Sequence, residues 1–365
     1  MRVALIAPLV SAIREPQRGG SQVFVSDLAR GLAARGHDVQ VYAASGSEVP
    51  GVEVIDTGVD HTALQATLYR PSGGADAYRS PEAEAAFAGM YDAVRRRTYE
   101  VVHNHAFDAP AVALAATVSA PVLHTLHLPP DAAVADALAS AAGHDPAPTV
   151  AGVSAFQASA WRRLVPVDAI LPPHIPTRSI PWSPTAGDGA VFAGRLSPEK
   201  GAAEAIAIAL TAGIGIDVYG DSYDQDYVRE RIDPRRADPR VRVHPGVART
   251  SLWGAMAGAA LVLCPARWDE PFGMVAAEAQ ACGTPVVAFR RGALEEVVLD
   301  GVTGVMVAPD DIEGAAEAAT RAARLSRSGC RRHAESHLDL QVSLDAHEQV
   351  YARIAGARRT VAIGG

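Results

Sequence analysis

The chain has 365 residues, 48% hydrophobic and 20% charged, with 33 basic and 41 acidic side chains and a formal net charge of −8. Enough apolar surface is present to offset conformational entropy, which excludes a mainly disordered chain, and the length predicts two domains at about 150 residues each. The acidic balance argues against nucleic acid and stable membrane association, since both call for a basic surface, and no run approaches the roughly 18 apolar residues of a membrane span.

Val3–Ala7 is a continuous apolar run, the pattern of a strand buried on both faces of a parallel sheet. Ser11–Gly20 follows it with charges and no small-residue cleavage pattern, so the run reads as a first strand, not a leader. A helix is predicted over Ser21–Ala34, with Val23, Leu28 and Leu32 as its apolar stripe. Gly36 ends it and Val39–Tyr42 restarts a strand, giving a βαβ unit. The alternation recurs in Val101–His103 (strand), Ala109–Ser119 (helix) and Pro121–His124 (strand). Thr149–Val153 and Ala169–Leu171 complete the first half.

Prolines at 172, 173, 176, 181 and 184 predict an extended connector. The expected domains are therefore 1–175 and 176–341. The second series has strands at Gly189–Ala193, Ile216–Tyr219, Val241–Val243, Ala260–Cys264 and Pro285–Ala288, and helices at Ala202–Gly213, Ser251–Gly258 and Phe272–Cys282. The tail, 342–359, reads as a helix with Leu344, Val350, Tyr351 and Ile354 apolar, expected to pack back on the first domain. Two such runs predict two doubly wound, Rossmann-like α/β domains, with ligands outside the carboxyl ends of the strands in a cleft between them.

Two features point to chemistry. Lys200 is the only lysine among the 33 basic residues. A chain that uses arginine wherever positive charge suffices keeps an ammonium on a flexible stem where a planar guanidinium is no substitute. The second is the stretch from Pro265 to Val287, containing Glu270-Pro271-Phe272-Gly273. Pro271 is expected in the first turn of a helix, where a missing N–H costs nothing, and Gly283 at its left-handed end. The N–H groups near Gly273, Met274 and Val275 then form an anion site at the positive end of the helix, and Gly273 lets a phosphate approach closely. Glu270 just before the helix and Glu278 two turns inside it would accept hydrogen bonds from hydroxyls, which suits a sugar and a ribose. Three cysteines (Cys264, Cys282, Cys330) are too few for a disulfide scaffold and fit a reducing compartment.

The same residues resemble a known signature. Glu270 and Glu278 within E-P-F-G-x-x-x-x-E-A-x-A-x-G-T-P-V-V-A look like the retaining glycosyltransferases of family 4, which have the GT-B fold of two Rossmann-like domains facing a cleft. Gly194–Gly201 is similar to that family's G-R-L-x-x-x-K-G, and Gly292–Gly304 to its G-x-x-E-x-V-x-x-G-x-x-G. Gly19-Gly20 followed by Leu28–His37 is similar to its N-terminal G-G-x-x…L-A-x-x-L-x-x-x-G-H. The strand end His124-Thr125-Leu126-His127 and the chain length look most like the antibiotic-tailoring, avilamycin-type members.

The resemblance implies a nucleotide-sugar donor, with UDP or GDP as its nucleotide, and no further cofactor. Arg195 and Lys200 would bind its diphosphate beside Gly194, and Glu278 its ribose. Glu270 with the backbone of Phe272 and Gly273 would hold the hexose, and Val247 and Arg249 lie where relatives hold the base. Gly19 and Gly20 would line the diphosphate or acceptor from the other domain, His127 would border the transferred sugar, and His105 and Asp108 would orient the acceptor. No metal is implied, because fixed positive charge takes its place. Retention of anomeric configuration likewise follows from the family alone.

Within 51–99 the only basic cluster is Arg95-Arg96-Arg97, which favours a small soluble acceptor over a membrane lipid. A cytoplasmic enzyme is expected. The rival readings are a glycan-chain synthase of the same fold and a catalytically silent nucleotide-sugar-binding subunit; the complete set Arg195, Lys200, Glu270 and Glu278 argues against the latter. A nicotinamide oxidoreductase lacks G-x-G-x-x-G after the first strand. Zinc at His103, His105, His124 and His127 is weakened by spacings unlike a finger and by the lack of an acidic partner. One departure stands out. Where the family carries an Asn-Gly turn entering the hinge, this chain reads Pro172-Pro173-His174-Ile175-Pro176.

Overall fold

Every strand pairing among the described residues is parallel, as apolar runs separated by helices require. The computed structural model describes residues 1–17, 19–61, 81–144 and 146–363, with side chains to 357. The chain divides into two units, Met1–Pro173 with Leu340–Gly365, and His174–Asp339.

The first unit runs β1 (Arg2–Ile6), α1 (Gly20–Ala34), β2 (Asp38–Ala43), β3 (Glu53–Asp56), α2 (Pro81–Arg95), β4 (Val101–Asn104), α3 (Ala109–Ala115), β5 (Val122–Leu126), α4 (Ala132–Ala141), β6 (Thr149–Gly152), α5 (Ala155–Trp161) and β7 (Ala169–Ile170). Its sheet has the order β3-β2-β1-β4-β5-β6-β7. The winding reverses between β1 and β4, the place where doubly wound sheets leave a crevice at their carboxyl edge. On one face Ile6, Tyr42 and Val102 pack against Phe87, Met90 and Tyr91 of α2.

The second unit runs β8 (Ala190–Ala193), α6 (Ala202–Thr211), β9 (Ile216–Tyr219), α7 (Gln225–Tyr227), β10 (Val241–His244), α8 (Arg249–Gly258), β11 (Leu261–Cys264), α9 (Met274–Ala281), β12 (Val286–Phe289), α10 (Leu294–Val297), β13 (Gly304–Val307), α11 (Ile312–Ala322) and α12 (Arg327–His337). The order is β10-β9-β8-β11-β12-β13, with the switch point between β8 and β11. Phe192, Val218, Leu263 and Phe289 form one core with Ile206 and Ile208 of α6 and Ala315 and Ala319 of α11. Two buried arginines tie down α12. Arg327 donates to the carbonyls of Ser183, Ala257 and Ala259 and to Thr284 Oγ1, and Arg331 to those of Thr177, Ile180 and Ala281.

The last helix, α13 (Leu340–Ile363), belongs to the first unit. Arg35 after α1 pairs with Asp345 and Glu348 at 2.7 Å each, and Tyr351 reaches His103 at the end of β4 (2.7 Å). Among the described residues no helix is long and apolar enough to cross a membrane.

Some expectations are corrected. The helix predicted from Phe272 starts at Met274, because Gly273 takes a left-handed conformation (φ 103°) that a helix cannot continue through, and Pro271 therefore lies outside the first turn. The helix predicted to Ser119 stops at Ala115, and the one predicted from Ser251 starts at Arg249. Within 51–99, which read only as a variable region, β3 and α2 form; positions 62–80 of it lie outside the described residues.

Candidate active site

Lys200 and Glu270 occupy the loops that leave β8 and β11, the two strands flanking the switch point of the second sheet. The first loop ends in a short 3-10 turn, Pro198–Lys200, closed by Gly201 at φ 77°. A Cβ on Gly201 would stand 2.0 Å from the carbonyl oxygen of Pro265, so glycine alone lets the two loops close on each other. Arg267 N–H adds a 2.8 Å bond to the Glu199 carbonyl. Backbone geometry thus brings residues seventy positions apart into contact.

Lys200 Nζ donates to Glu270 Oε1 and Oε2 at 3.0 and 2.8 Å. Trp268 completes the group: its ring faces the ammonium 4.5 Å from the centroid, and its Nε1–H donates to Glu270 Oε2 at 2.7 Å. Both partners of the ion pair keep an open edge, with side chains 21% and 17% exposed. Arg195, earlier on the same loop, pairs with Glu199 (3.2 Å) and lies over the Tyr223 ring at 4.4 Å. Gly194 continues the sheet through its N–H to Tyr219 O (3.0 Å).

The Glu270 loop leads into α9. Gly273 caps it without a side-chain bond, and a Cβ there would meet Leu294 Cδ2 at 2.7 Å. The first-turn N–H groups of Met274, Val275 and Ala276 have no partner inside the helix, and the dipole makes this end positive. One turn later Glu278, 5% exposed, accepts from Arg249 Nε (3.1 Å) and a terminal nitrogen (2.8 Å); Arg249 also lies over Trp253. Val247 precedes Arg249 on a loop held by Gly246 N–H to Asp221 Oδ1 (2.9 Å). The second unit therefore gathers Arg195, Lys200, Glu270, Phe272, Gly273 and the start of α9 around one carboxyl edge, with Arg249–Glu278 beside them.

In the first unit, Gly19 and Gly20 begin α1 in the loop region after β1. His105 and Asp108 follow β4 and His127 follows β5. His105 and Asp108 are buried. His103 bonds Tyr351 and Thr125 (2.7 Å each), and His105 Nδ1 meets His127 Nε2 at 3.0 Å. Burial holds all four rings below the ordinary 6.5, with His124 pushed to about 4 and His127 to about 3. His127 and His124 line a small pocket with Asn104, Asp131 and Trp161. Among the described residues no three His, Cys, Asp or Glu side chains converge to hold a metal ion.

Two family models match the chain: glycosyl transferases group 1 over residues 184–335, and Glycosyltransferase Family 4 over 18–178. A D-inositol 3-phosphate glycosyltransferase of Mycolicibacterium paratuberculosis is 30% identical over 363 residues, covering 87% of this chain and 81% of that protein. The chain is a glycosyltransferase of the group 1/family 4 type. Solved structures share its GT-B fold. Sucrose-phosphate synthase from Thermosynechococcus elongatus superposes with a TM-score of 0.76 (20% identity, 98% of this chain and 99% of that one). Anabaena Alr3699/HepE in complex with UDP and glucose gives 0.73 (20%, 96% and 99%), and AviGT4, involved in avilamycin A biosynthesis, 0.69 (21%, 98% and 98%).

For a family 4 glycosyltransferase, three contacts of this site went unread in the sequence. Trp268 lies two residues before the quoted motif, and a tryptophan at that place carries no sequence signal by itself. The Arg249–Glu278 pair joins α8 to α9 and has no sequence signal. His174, standing where the family's Asn-Gly turn would be, is buried 6.0 Å from the Phe272 ring, and burial pushes it down to about 4.

Proposed function

We propose that the enzyme transfers a hexose from a nucleoside-diphosphate sugar to a hydroxyl of a small soluble acceptor, with retention of configuration and without a metal. The observation that carries this reading is the Lys200–Glu270 pair at the switch point, on the loop that opens into α9. A diphosphate oxygen competes with Glu270 for the mobile ammonium, and a hexose hydroxyl donates to the carboxylate oxygen that the ammonium leaves. Arg195, Lys200 and the first N–H groups of α9 then face the charge that grows on the leaving phosphate, which lowers the transition state more than the ground state. Glu278, oriented by Arg249, takes the ribose hydroxyls, with Val247 near the base.

The acceptor hydroxyl attacks C1 from the face the diphosphate leaves. The C1–O bond to phosphate breaks, the acceptor O–C1 bond forms, and the acceptor's proton passes to the departing phosphate oxygen. UDP as the nucleotide is supported by the UDP-bound structural relative, and a polyhydroxylated small acceptor by the inositol-phosphate relatives; the AviGT4 likeness supports a tailoring acceptor. Net charge and the absence of a membrane-crossing helix among the described residues support a cytoplasmic site of action.

The test is nucleoside-diphosphate release from a panel of UDP- and GDP-hexoses with inositol phosphates and deoxysugar acceptors, run with excess chelator, and the product anomer read by NMR. Release in chelator with the donor's anomeric configuration kept is expected. Strict dependence on added divalent ion, or an inverted product, contradicts the reading.

A further inference from the structure

The loops that leave β11, β12 and β13 meet on one carboxylate. Asp310, three residues past β13, is the one non-glycine residue with a positive φ among the described residues (φ 64°), a conformation that aspartate adopts more readily than most side chains. Its two oxygens are taken separately. Oδ1 accepts from Arg267 Nε at 3.2 Å, and Oδ2 from Arg291 Nη2 at 2.5 Å. β13 is the edge strand and β12 lies between it and β11, so this carboxylate joins loops two strands apart.

Both arginines lead to Glu270. Arg267 stands three residues before it on the same loop, and its Nη1 also lies 3.6 Å from Glu204 of α6. Arg291 opens the turn that lies against the Glu270 backbone. Ala293 N–H donates to the Glu270 carbonyl (2.8 Å), and a Cβ on Gly292 would stand 2.3 Å from the Glu270 nitrogen. Among the described residues Asp310 is the only side chain that holds the Arg291 guanidinium, whose Nε is buried without a hydrogen bond. The Asp310 side chain is 48% exposed, so its two ion pairs add little to stability. What they constrain is geometry: loss of one carboxylate frees the Glu270 loop and the turn against it together.

We propose that Asp310 is a positioning residue for the transfer, clamping Arg267 and Arg291 so that the Glu270 carboxylate stays where Lys200 and Trp268 meet it. This rests on the proposed role of Glu270 at the hexose. It extends that role to a side chain that bonds only Arg267 and Arg291 among the described residues.

The deciding experiment is a double-mutant cycle in donor kinetics, with Asp310→Asn made alone and in Glu270→Gln, and melting temperature read beside it. Asparagine tolerates the left-handed backbone and keeps one acceptor, but it removes the charge that both arginines share. Alone it should lower kcat/KM about three- to tenfold, with the melting temperature moved by no more than about 2–4 °C. In Glu270→Gln the further loss should be under about twofold, because the clamp then has no carboxylate to orient. A merely structural carboxylate would cost the same factor in both backgrounds. Equal losses, or wild-type efficiency in Asp310→Asn, overturn the proposal. If Asp310→Asn does not fold, Asp310→Gly, which suits the positive φ, replaces it in the cycle. Trp268 fluorescence, taken as the difference from the matching Trp268→Phe variant, gives a readout apart from turnover. Its quenching by acrylamide should rise in Asp310→Asn, and unchanged quenching overturns the proposal. Raised quenching together with wild-type transfer by Glu270→Gln would instead overturn the role of Glu270, and the loop clamp would stand.

Discussion

At the scale of single residues, the candidate site is built on shared carboxylates. Glu270 accepts from Lys200 and from the Trp268 indole, so its orientation is set before any hydroxyl arrives. Trp268→Phe keeps an aromatic face for the ammonium and removes the N–H together with part of the indole ring. A hydrogen bond to a charged group contributes about 1.5–3 kcal/mol, so kcat/KM should fall by tenfold or more while the fold is retained. Steady-state kinetics with a saturating acceptor check this, and wild-type efficiency in the variant would mean that the indole N–H has no part in holding the carboxylate. The lysine itself was legible because the chain has no other. Trp268 was not, because a tryptophan near a glutamate has no meaning until the fold sets its ring against Lys200.

At the scale of elements, the glycine-closed loops decide the geometry. Gly201→Ala places a Cβ 2.0 Å from the Pro265 carbonyl on a left-handed residue, so it should destabilise the unit by about 1–3 kcal/mol and push the two loops apart. A fall in activity larger than the fall in melting temperature explains is expected, and unaltered values of both would show that the loops do not depend on this contact. Arg327→Lys tests a structural counterpart. One ammonium cannot reach three carbonyls and a hydroxyl that the guanidinium spans, and each carbonyl left bare costs about 1–3 kcal/mol. Denaturant melts should show that loss without a change in KM for the donor.

Strands were the readable elements: continuous apolar runs such as Val3–Ala7 and Ile216–Tyr219 fold where their pattern places them. The short strand β3, with burial on neither face complete, was not. Helix α4 was missed because alanine fills so many of its positions that the contrast between buried and exposed faces is thin, whereas α2, with Phe87, Met90, Tyr91 and Val94 buried on one face, carried a helical stripe that went unread. The two ends of α9 divide the same way. Gly283 was expected at its left-handed close and is there at φ 77°, whereas the start was misplaced because Gly273 also turns left-handed.

At the scale of the whole molecule, the first unit concentrates neutral imidazoles. His103, His105 and His127 pack together, with His103 bonded to Tyr351 of α13, His124 is bonded to Asn104 beside them, and burial depresses all four. A depressed histidine binds its proton more readily in the unfolded chain, so its contribution to stability is complete above 6.5. It is lost as pH falls from there toward 4 and 3. Each such group contributes a slope of about 1.4 kcal/mol per pH unit in that window. Melting temperature should therefore be flat above pH 7 and drop steeply between 6.5 and 4, and a flat profile through that window would contradict neutral burial of these rings.

The proposed function, in contrast, rests on one ammonium in the second unit. The most direct measurement is turnover and melting temperature of Lys200→Met and Lys200→Arg beside the wild type, with nucleoside-diphosphate release as the readout. Removing a group that stabilises the leaving phosphate should lower kcat about 10²–10³-fold in Lys200→Met, with incomplete recovery in Lys200→Arg. The partly exposed ion pair contributes about 0–1 kcal/mol, so the melting temperature should move by no more than about 2–4 °C. Wild-type turnover in Lys200→Met, or a loss of activity no larger than its loss of folded protein, would contradict the assignment.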